Sequence, residues 1–132
     1  EEKMTKRILV IDDEDAIRKS FELALEDSGY AVNTASSGKE GLEMLKRDPY
    51  DLVFLDLKMP HMTGVETLRE IRKLDEDIPV YIVTAFYGEF FDELQHMAEA
   101  GTEFEVLNKP VDGDMILKLC QGVLEGVVVV DE

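Results

Sequence analysis

The sequence predicts an α/β fold: a (βα)5 doubly wound, five-stranded parallel sheet with strand order 2-1-3-4-5. Two observations carry this. Short apolar runs alternate five times with amphipathic segments, and that alternation argues a parallel sheet with helices on both faces. At 132 residues there is room for one domain with a sizeable core, and five strands in this order is the commonest arrangement at that size. Ligands then bind outside the carboxyl ends of the strands.

Each element has its own signal. Ile8-Leu9-Val10-Ile11 is short, branched and continuous, as a strand buried on both faces must be. Ile17, Phe21, Ala24 and Leu25 recur at helical spacing, and Gly29 is the expected stop. Tyr30 to Ala35 reads as the second strand. Ser37 and Glu40 have capping-box spacing ahead of Leu42 and Leu45, and Asp48-Pro49 ends that helix. Leu52 to Leu55 is the third strand, with Asp56 at its end. Thr63 and Glu66 form a second capping box, with Val65, Leu68 and Ile71 lining the helix behind it. Val80 to Val83 is the fourth strand. Phe90 or Phe91, Leu94, Met97 and Ala98 mark a long fourth helix stopped by Gly101. Phe104 to Leu107 is the fifth strand. Asp112 caps a last helix that turns Ile116, Leu119 and Val123 inward. The folded core is expected over 7–124, with 1–6 and 125–132 as flanking tails.

Composition narrows the partners. Hydrophobic residues make up 45% and charged residues 33%, a globular balance rather than a disordered one. The net charge is −16, from 30 acidic and 14 basic residues. Such a chain repels nucleic acid and anionic membrane and attracts cations. The lone cysteine, Cys120, excludes an intramolecular disulfide and reads as core. No signal peptide is evident, and Val127 to Val130 is too short to span a bilayer. A cytoplasmic protein is the expectation.

The chemistry stands at the predicted strand ends. Asp12 and Asp13 follow the first strand, Asp56 the third, Thr84 the fourth and Lys109 the fifth. In the proposed sheet they meet in one crevice. Three crowded carboxylates resist ionisation together. A hard divalent cation such as Mg²⁺, which prefers oxygen ligands, removes that conflict. Asp56 is then a carboxylate free to attack phosphorus. The Lys109 ammonium can stabilise charge on the transferring group, and the Thr84 hydroxyl can hydrogen-bond it. His61 and His96 are isolated and read as surface residues.

Four stretches complete a pattern: Val10-Ile11-Asp12-Asp13-Glu14, Leu55-Asp56-Leu57-Lys58-Met59-Pro60, Thr84-Ala85 and Lys109-Pro110. In this order and at strand ends they resemble the receiver domains of two-component response regulators, the CheY-like family of flavodoxin-like fold. The resemblance runs from Ile8 to Val123. It implies that Asp56 is the phosphoacceptor. It also implies that Asp13, Asp56 and the backbone carbonyl of Lys58 ligate Mg²⁺, with Asp12 acting through metal-bound water and Mn²⁺ able to substitute. Lys109 contacts the phosphoryl group, the Lys109-Pro110 peptide is cis, and Thr84 moves toward the phosphate. The implied donor is a phosphohistidine on a histidine kinase or histidine phosphotransfer protein. The implied readers are a downstream effector and a phosphorylation-dependent dimer, with no direct nucleic-acid or membrane binding. Such a receiver promotes only its own phosphorylation and dephosphorylation and is not an enzyme acting on a separate metabolite.

The sequence departs from that pattern where receivers carry a switch aromatic, three positions before the lysine. Here that position is Val106, and the nearest aromatic is Phe104. Phosphorylation is therefore expected to be kept while its readout beside strand five is altered. Phe86, two after Thr84, and Lys58, two after Asp56, flank the route of attacking water in the family and are expected to tune the phosphoryl lifetime. Other readings fare worse. A phosphatase of the haloacid dehalogenase type wants a second Asp two residues after the nucleophile, where this chain has Lys58. A flavodoxin-like cofactor protein wants a phosphate-cradling loop after strand one, and none is present. A degenerate receiver, acting as a phosphorylation-independent interaction module, typically loses the acid pair, the acceptor or the lysine, and all are present here.

Overall fold

The computed structural model describes residues 5–126. Of the expected tails, 1–6 and 125–132, residues 1–4 and 127–132 lie outside the described residues, and Glu125 still belongs to the last helix. Five parallel strands, β1 (Arg7–Ile11), β2 (Ala31–Ala35), β3 (Leu52–Leu55), β4 (Val80–Thr84) and β5 (Glu105–Asn108), form one sheet in the order β2-β1-β3-β4-β5. The helices are α1 (Asp15–Leu25), α2 (Gly38–Arg47), α3 (Gly64–Leu74), α4 (Phe91–Glu99) and α5 (Gly113–Glu125).

Strand alternation sorts the core into two layers. Leu9, Ile11, Val53, Leu55, Val80 and Ile82 face Leu42 of α2, Val65, Leu68 and Ile71 of α3, and Leu94 and Met97 of α4. Ile8, Val10, Leu52, Phe54 and Val83 face Phe21 and Leu25 of α1 and Ile116 and Cys120 of α5. The continuous apolar runs of β1 and β3 are thus explained by burial on both sides. Cys120 is a core residue, fully buried, and burial pushes its thiol up to about 12.

Several boundaries differ from those predicted. Gly29 does have a left-handed φ of 87°, but α1 ends at Leu25 with Glu26 as its cap. Gly29 therefore shapes the turn into β2 rather than stopping the helix. Ser37 caps α2 by accepting from the Glu40 N–H, whereas the Glu40 carboxylate reaches back to Ser36, so only half of that capping box forms. The Thr63–Glu66 box is complete, and Asp112 caps α5 by accepting from the Met115 N–H. β5 starts one residue later than expected.

The fourth helix begins at Phe91, within the expected start, but the aromatic run ahead of it is not part of it. Tyr87–Phe90 forms a 3₁₀ turn, and only Phe91–Glu99 is α-helical. Phe90 is pulled into the core while Phe86 and Phe91 stay exposed; the tighter turn lets one ring of a crowded aromatic run reach inward. The helix does stop at Gly101, whose φ is 93°. The Thr102 N–H donates to the Met97 carbonyl and the Gly101 N–H to that of Ala98, a full Schellman closure.

Arg72 at the end of α3 ties the lower edge of the molecule together. Its guanidinium donates to the carbonyls of Glu103, Asp75 and Ile78, joining α3 to the loops before β4 and β5.

Candidate functional site

Strand register brings the predicted residues together. In the β1–β3 pair Ile11 stands opposite Leu55, so the next residues, Asp12 and Asp56, emerge side by side. This is the point where chain order reverses across the sheet, between β1 and β3, and where an open α/β sheet has its crevice. In the β4–β5 pair Thr84 stands opposite Asn108, and Lys109 follows at once. The Lys109 N–H donates to the Thr84 carbonyl at 2.9 Å. The Lys109–Pro110 peptide is cis.

Asp12, Asp56 and Thr84 are buried polar residues, at 2%, 3% and 0% exposure. Lys109 Nζ donates to Asp12 Oδ2 at 3.0 Å and stands 3.5 Å from Asp56 Oδ1 and 3.7 Å from Glu14 Oε1. At 3.5 Å it makes an ion pair with Asp56 but no hydrogen bond, and Asp56 Oδ1 has no hydrogen-bond partner among the described residues. Asp13 is exposed, yet it offers a carboxylate oxygen within 4.8 Å of those of Asp12 and Asp56.

The electrostatics follow from three carboxylates sharing one ammonium. Burial, then the Asp12 charge, push the Asp56 carboxyl up to about 6, with Lys109 working against them. Asp12 is also raised by burial, in part offset by the Glu14 N–H and by Lys109. Burial opposes the charged form of Lys109, but its hydrogen bond to Asp12 and the surrounding carboxylates outweigh it and hold its pKa above the ordinary value. A buried carboxylate with an unpartnered oxygen is costly. An oxygen-only donor set of this size fits a hard divalent cation, which would give that orphaned oxygen a partner.

The loops around the crevice are fixed by close packing. Gly64, the first residue of α3, lies so near the chain after β3 that an added Cβ would stand 2.2 Å from the Asp56 carbonyl oxygen. Only glycine lets α3 start there. Lys58, two residues past Asp56, has an exposed side chain. Its ammonium pairs with Glu89 at 3.3 Å and lies 4.5 Å from the centre of the Phe86 ring. The loops after β3 and β4 are thereby linked beside the crevice.

Three residues beside the crevice are given no role by the sequence, although Glu14 ends the first motif. Glu14 adds a carboxylate near Lys109, and Glu89 holds Lys58. Arg18 Nη1 donates to the Asp12 carbonyl at 2.7 Å.

The remaining expected residues divide. Thr84 Oγ1 accepts from the Phe86 N–H at 2.9 Å, which leaves its proton to donate. Val106 is half-buried on β5 opposite Ile82. Phe104 precedes β5 and packs half-buried against the α4-side layer. It is five residues, roughly 16 Å of extended chain, from Lys109, so it does not stand in for Val106.

Comparison with known proteins agrees with the fold. Residues 8–121 match the response regulator receiver domain. The chain is 40% identical over 121 residues to the transcriptional regulatory protein GlrR of Escherichia coli K12, covering 89% of this chain and 26% of that protein. It is 42% identical over 79 residues to the response regulator MprA of Mycobacterium leprae, covering 60% of this chain and 35% of that one. Among solved structures, a CheY-like response regulator receiver domain protein from Methanospirillum hungatei superposes with a TM-score of 0.83 at 30% identity, covering 93% of this chain and 96% of that one. The response regulator TrrA of Thermotoga maritima, in complex with Mg²⁺ and BeF, superposes with a TM-score of 0.75 at 32% identity, covering 91% of this chain and all (100%) of that one. The chain belongs to the response regulator receiver domain family. It spans only about a quarter to a third of the curated relatives cited.

Proposed function

We propose that this chain receives a phosphoryl group on Asp56 from a phosphohistidine of a histidine kinase or phosphotransfer protein. The observation that carries this is the crevice at the ends of β1, β3 and β5, where the carboxylates of Asp12, Asp13 and Asp56 converge within 4.8 Å and Lys109 Nζ reaches two of them. A carboxylate oxygen of Asp56 attacks phosphorus as the P–N bond to the donor imidazole breaks, and the electron pair leaves with the ring nitrogen. With its carboxyl at about 6, Asp56 is mostly the required anion at neutral pH. The Lys109 ammonium, already 3.5 Å from Asp56 Oδ1, meets the equatorial oxygens where charge spreads. The buried Thr84 hydroxyl donates to the same group.

Asp13, Asp56 and the Lys58 backbone carbonyl would hold Mg²⁺, with Asp12 behind them and Mn²⁺ able to substitute. The cation would neutralise the carboxylates and the phosphoryl oxygens. The output is a shift between two conformers biased by the phosphoryl group and read by an effector or a second copy of the chain. With Val106 on β5, that readout departs from an aromatic rotation. A phosphorylated structure in which an aromatic of this segment turns inward would refute that part. No helix among the described residues is long and apolar enough to cross a membrane. The strong negative charge disfavours direct contact with nucleic acid, and a cytoplasmic location fits a phosphohistidine donor.

The test is incubation with Mg²⁺ and acetyl phosphate, followed by intact mass measurement. Wild type gains one phosphoryl group, and Asp56→Ala does not. Absence of an adduct on wild type, or an undiminished adduct on the variant, overturns the proposal.

A further inference from the structure

We infer that Arg18 is a positioning residue for the divalent cation, acting through the backbone of the Asp12–Asp13 turn. The inference rests on the Mg²⁺ site proposed above. Arg18 lies on α1, six residues past Asp12, and its side chain is 17% exposed. Its Nη1 donates to the Asp12 carbonyl at 2.7 Å, and its Nη2 to Asp15 Oδ1 at 3.2 Å. One planar fork therefore anchors the start of the helix to the peptide that links the two acids.

That peptide is the critical one. The Asp12 N–H is held by the Ala35 carbonyl at 3.1 Å, and the Asp12 carboxylate by the Glu14 N–H and Lys109. Asp12 is thus fixed at its amide and at its side chain. Its carbonyl begins the peptide that carries Asp13, and Arg18 fixes that carbonyl. Asp13 is exposed, and its backbone is held from both sides: the Glu14 N–H bond to Asp12 Oδ1 fixes the peptide after it, and Arg18 fixes the peptide before it, so the direction of its carboxylate depends on the plane that Arg18 holds. Releasing the carbonyl lets the plane rotate and the Asp13 oxygen swing away from those of Asp12 and Asp56.

The charge of Arg18 works the opposite way, which makes the inference testable by sign. A guanidinium beside a cation site repels the cation, so simple electrostatics has Arg18→Met tightening Mg²⁺ binding. Positioning has the same change weakening it, by about tenfold, as removal of groups that orient metal ligands commonly does. Mg²⁺ affinity is measured by calorimetry on the full chain for wild type, Arg18→Met, Arg18→Gln and Arg18→Lys. Thermal unfolding in EDTA reports folding separately. The Met and Gln variants are expected to lose about tenfold in affinity. The Lys variant, with one donor able to reach the carbonyl, is expected within about threefold of wild type. In the acetyl phosphate reaction the defect appears as a higher Mg²⁺ concentration for half-maximal rate, with the rate at saturating Mg²⁺ near that of wild type. The Gln variant carries the test if the Met variant does not fold. Unchanged or tighter Mg²⁺ binding in the folded variants overturns the inference. Absence of Mg²⁺ binding by wild type overturns the metal site itself.

Discussion

Asp56 should weaken the fold it sits in, and removing its charge should stabilise the metal-free protein. Its carboxyl is held at about 6, against an ordinary 3.8. Keeping it ionised in the folded state at neutral pH therefore costs up to about 3 kcal/mol, at about 1.4 kcal/mol per pH unit. Solvent at the mouth of the crevice screens part of this and leaves roughly 1–2 kcal/mol. Asp56→Asn keeps the shape and gives up no hydrogen bond at Oδ1, which has none among the described residues. The sign with pH follows from a folded pKa above the unfolded one. Wild type is favoured below about pH 4 and loses that advantage as pH rises through about 6. The Asn variant has no such loss. Urea unfolding in EDTA, followed by circular dichroism, should show the variant more stable by about 1–2 kcal/mol near neutral pH, the difference shrinking toward zero near pH 4. With saturating Mg²⁺ the order should narrow or reverse, because the cation stabilises the species that binds it better. Equal stabilities at neutral pH in EDTA, or a difference independent of pH, would refute the reasoning.

Other perturbations test separate parts of the molecule. Gly64→Ala places a Cβ 2.2 Å from the Asp56 carbonyl oxygen and should cost about 1–3 kcal/mol while weakening Mg²⁺ binding; a neutral effect in both assays would show that the start of α3 can yield. Phe86→Ala should speed hydrolysis of the phosphorylated form roughly three- to tenfold, equivalent to about 0.7–1.4 kcal/mol of barrier, and an unchanged rate removes Phe86 as a shield. Arg72→Met frees the carbonyls of Glu103, Asp75 and Ile78. It should cost about 1–3 kcal/mol and raise amide exchange around Gly101 to Glu103, far from Asp56, without changing the phosphorylation rate.

The sequence discloses the elements whose side chains answer to one local rule. β1 and β3 are continuous apolar runs because both of their faces are covered, and the acids and the lysine show themselves by standing where such runs end. The complete capping box at Thr63 and Glu66 is local chemistry, readable as spacing. What stays hidden depends on contacts between elements. At the 3₁₀ turn of Tyr87–Phe90 one ring of several, Phe90, turns inward, and spacing alone does not say which. Glu40 reaches past its expected partner to the Ser36 N–H, a difference of one residue that spacing does not resolve. Arg18 meets a backbone carbonyl, and no sequence pattern records a side chain's grip on a peptide group. Both the missing aromatic at Val106 and the place of Phe104 at the start of the fifth strand are legible, to within the one residue by which β5 starts later.

The bond between the Lys109 amide and the Thr84 carbonyl carries a mechanical implication. The two residues proposed to reach for one phosphoryl group sit on the same backbone ladder, so a pull on either would be transmitted to the other through the paired backbones. Their neighbours Val106 and Leu107 point into opposite layers of the core. A small advance of this strand pair would be felt on both faces of the sheet at once, as a common stroke rather than two separate side-chain turns.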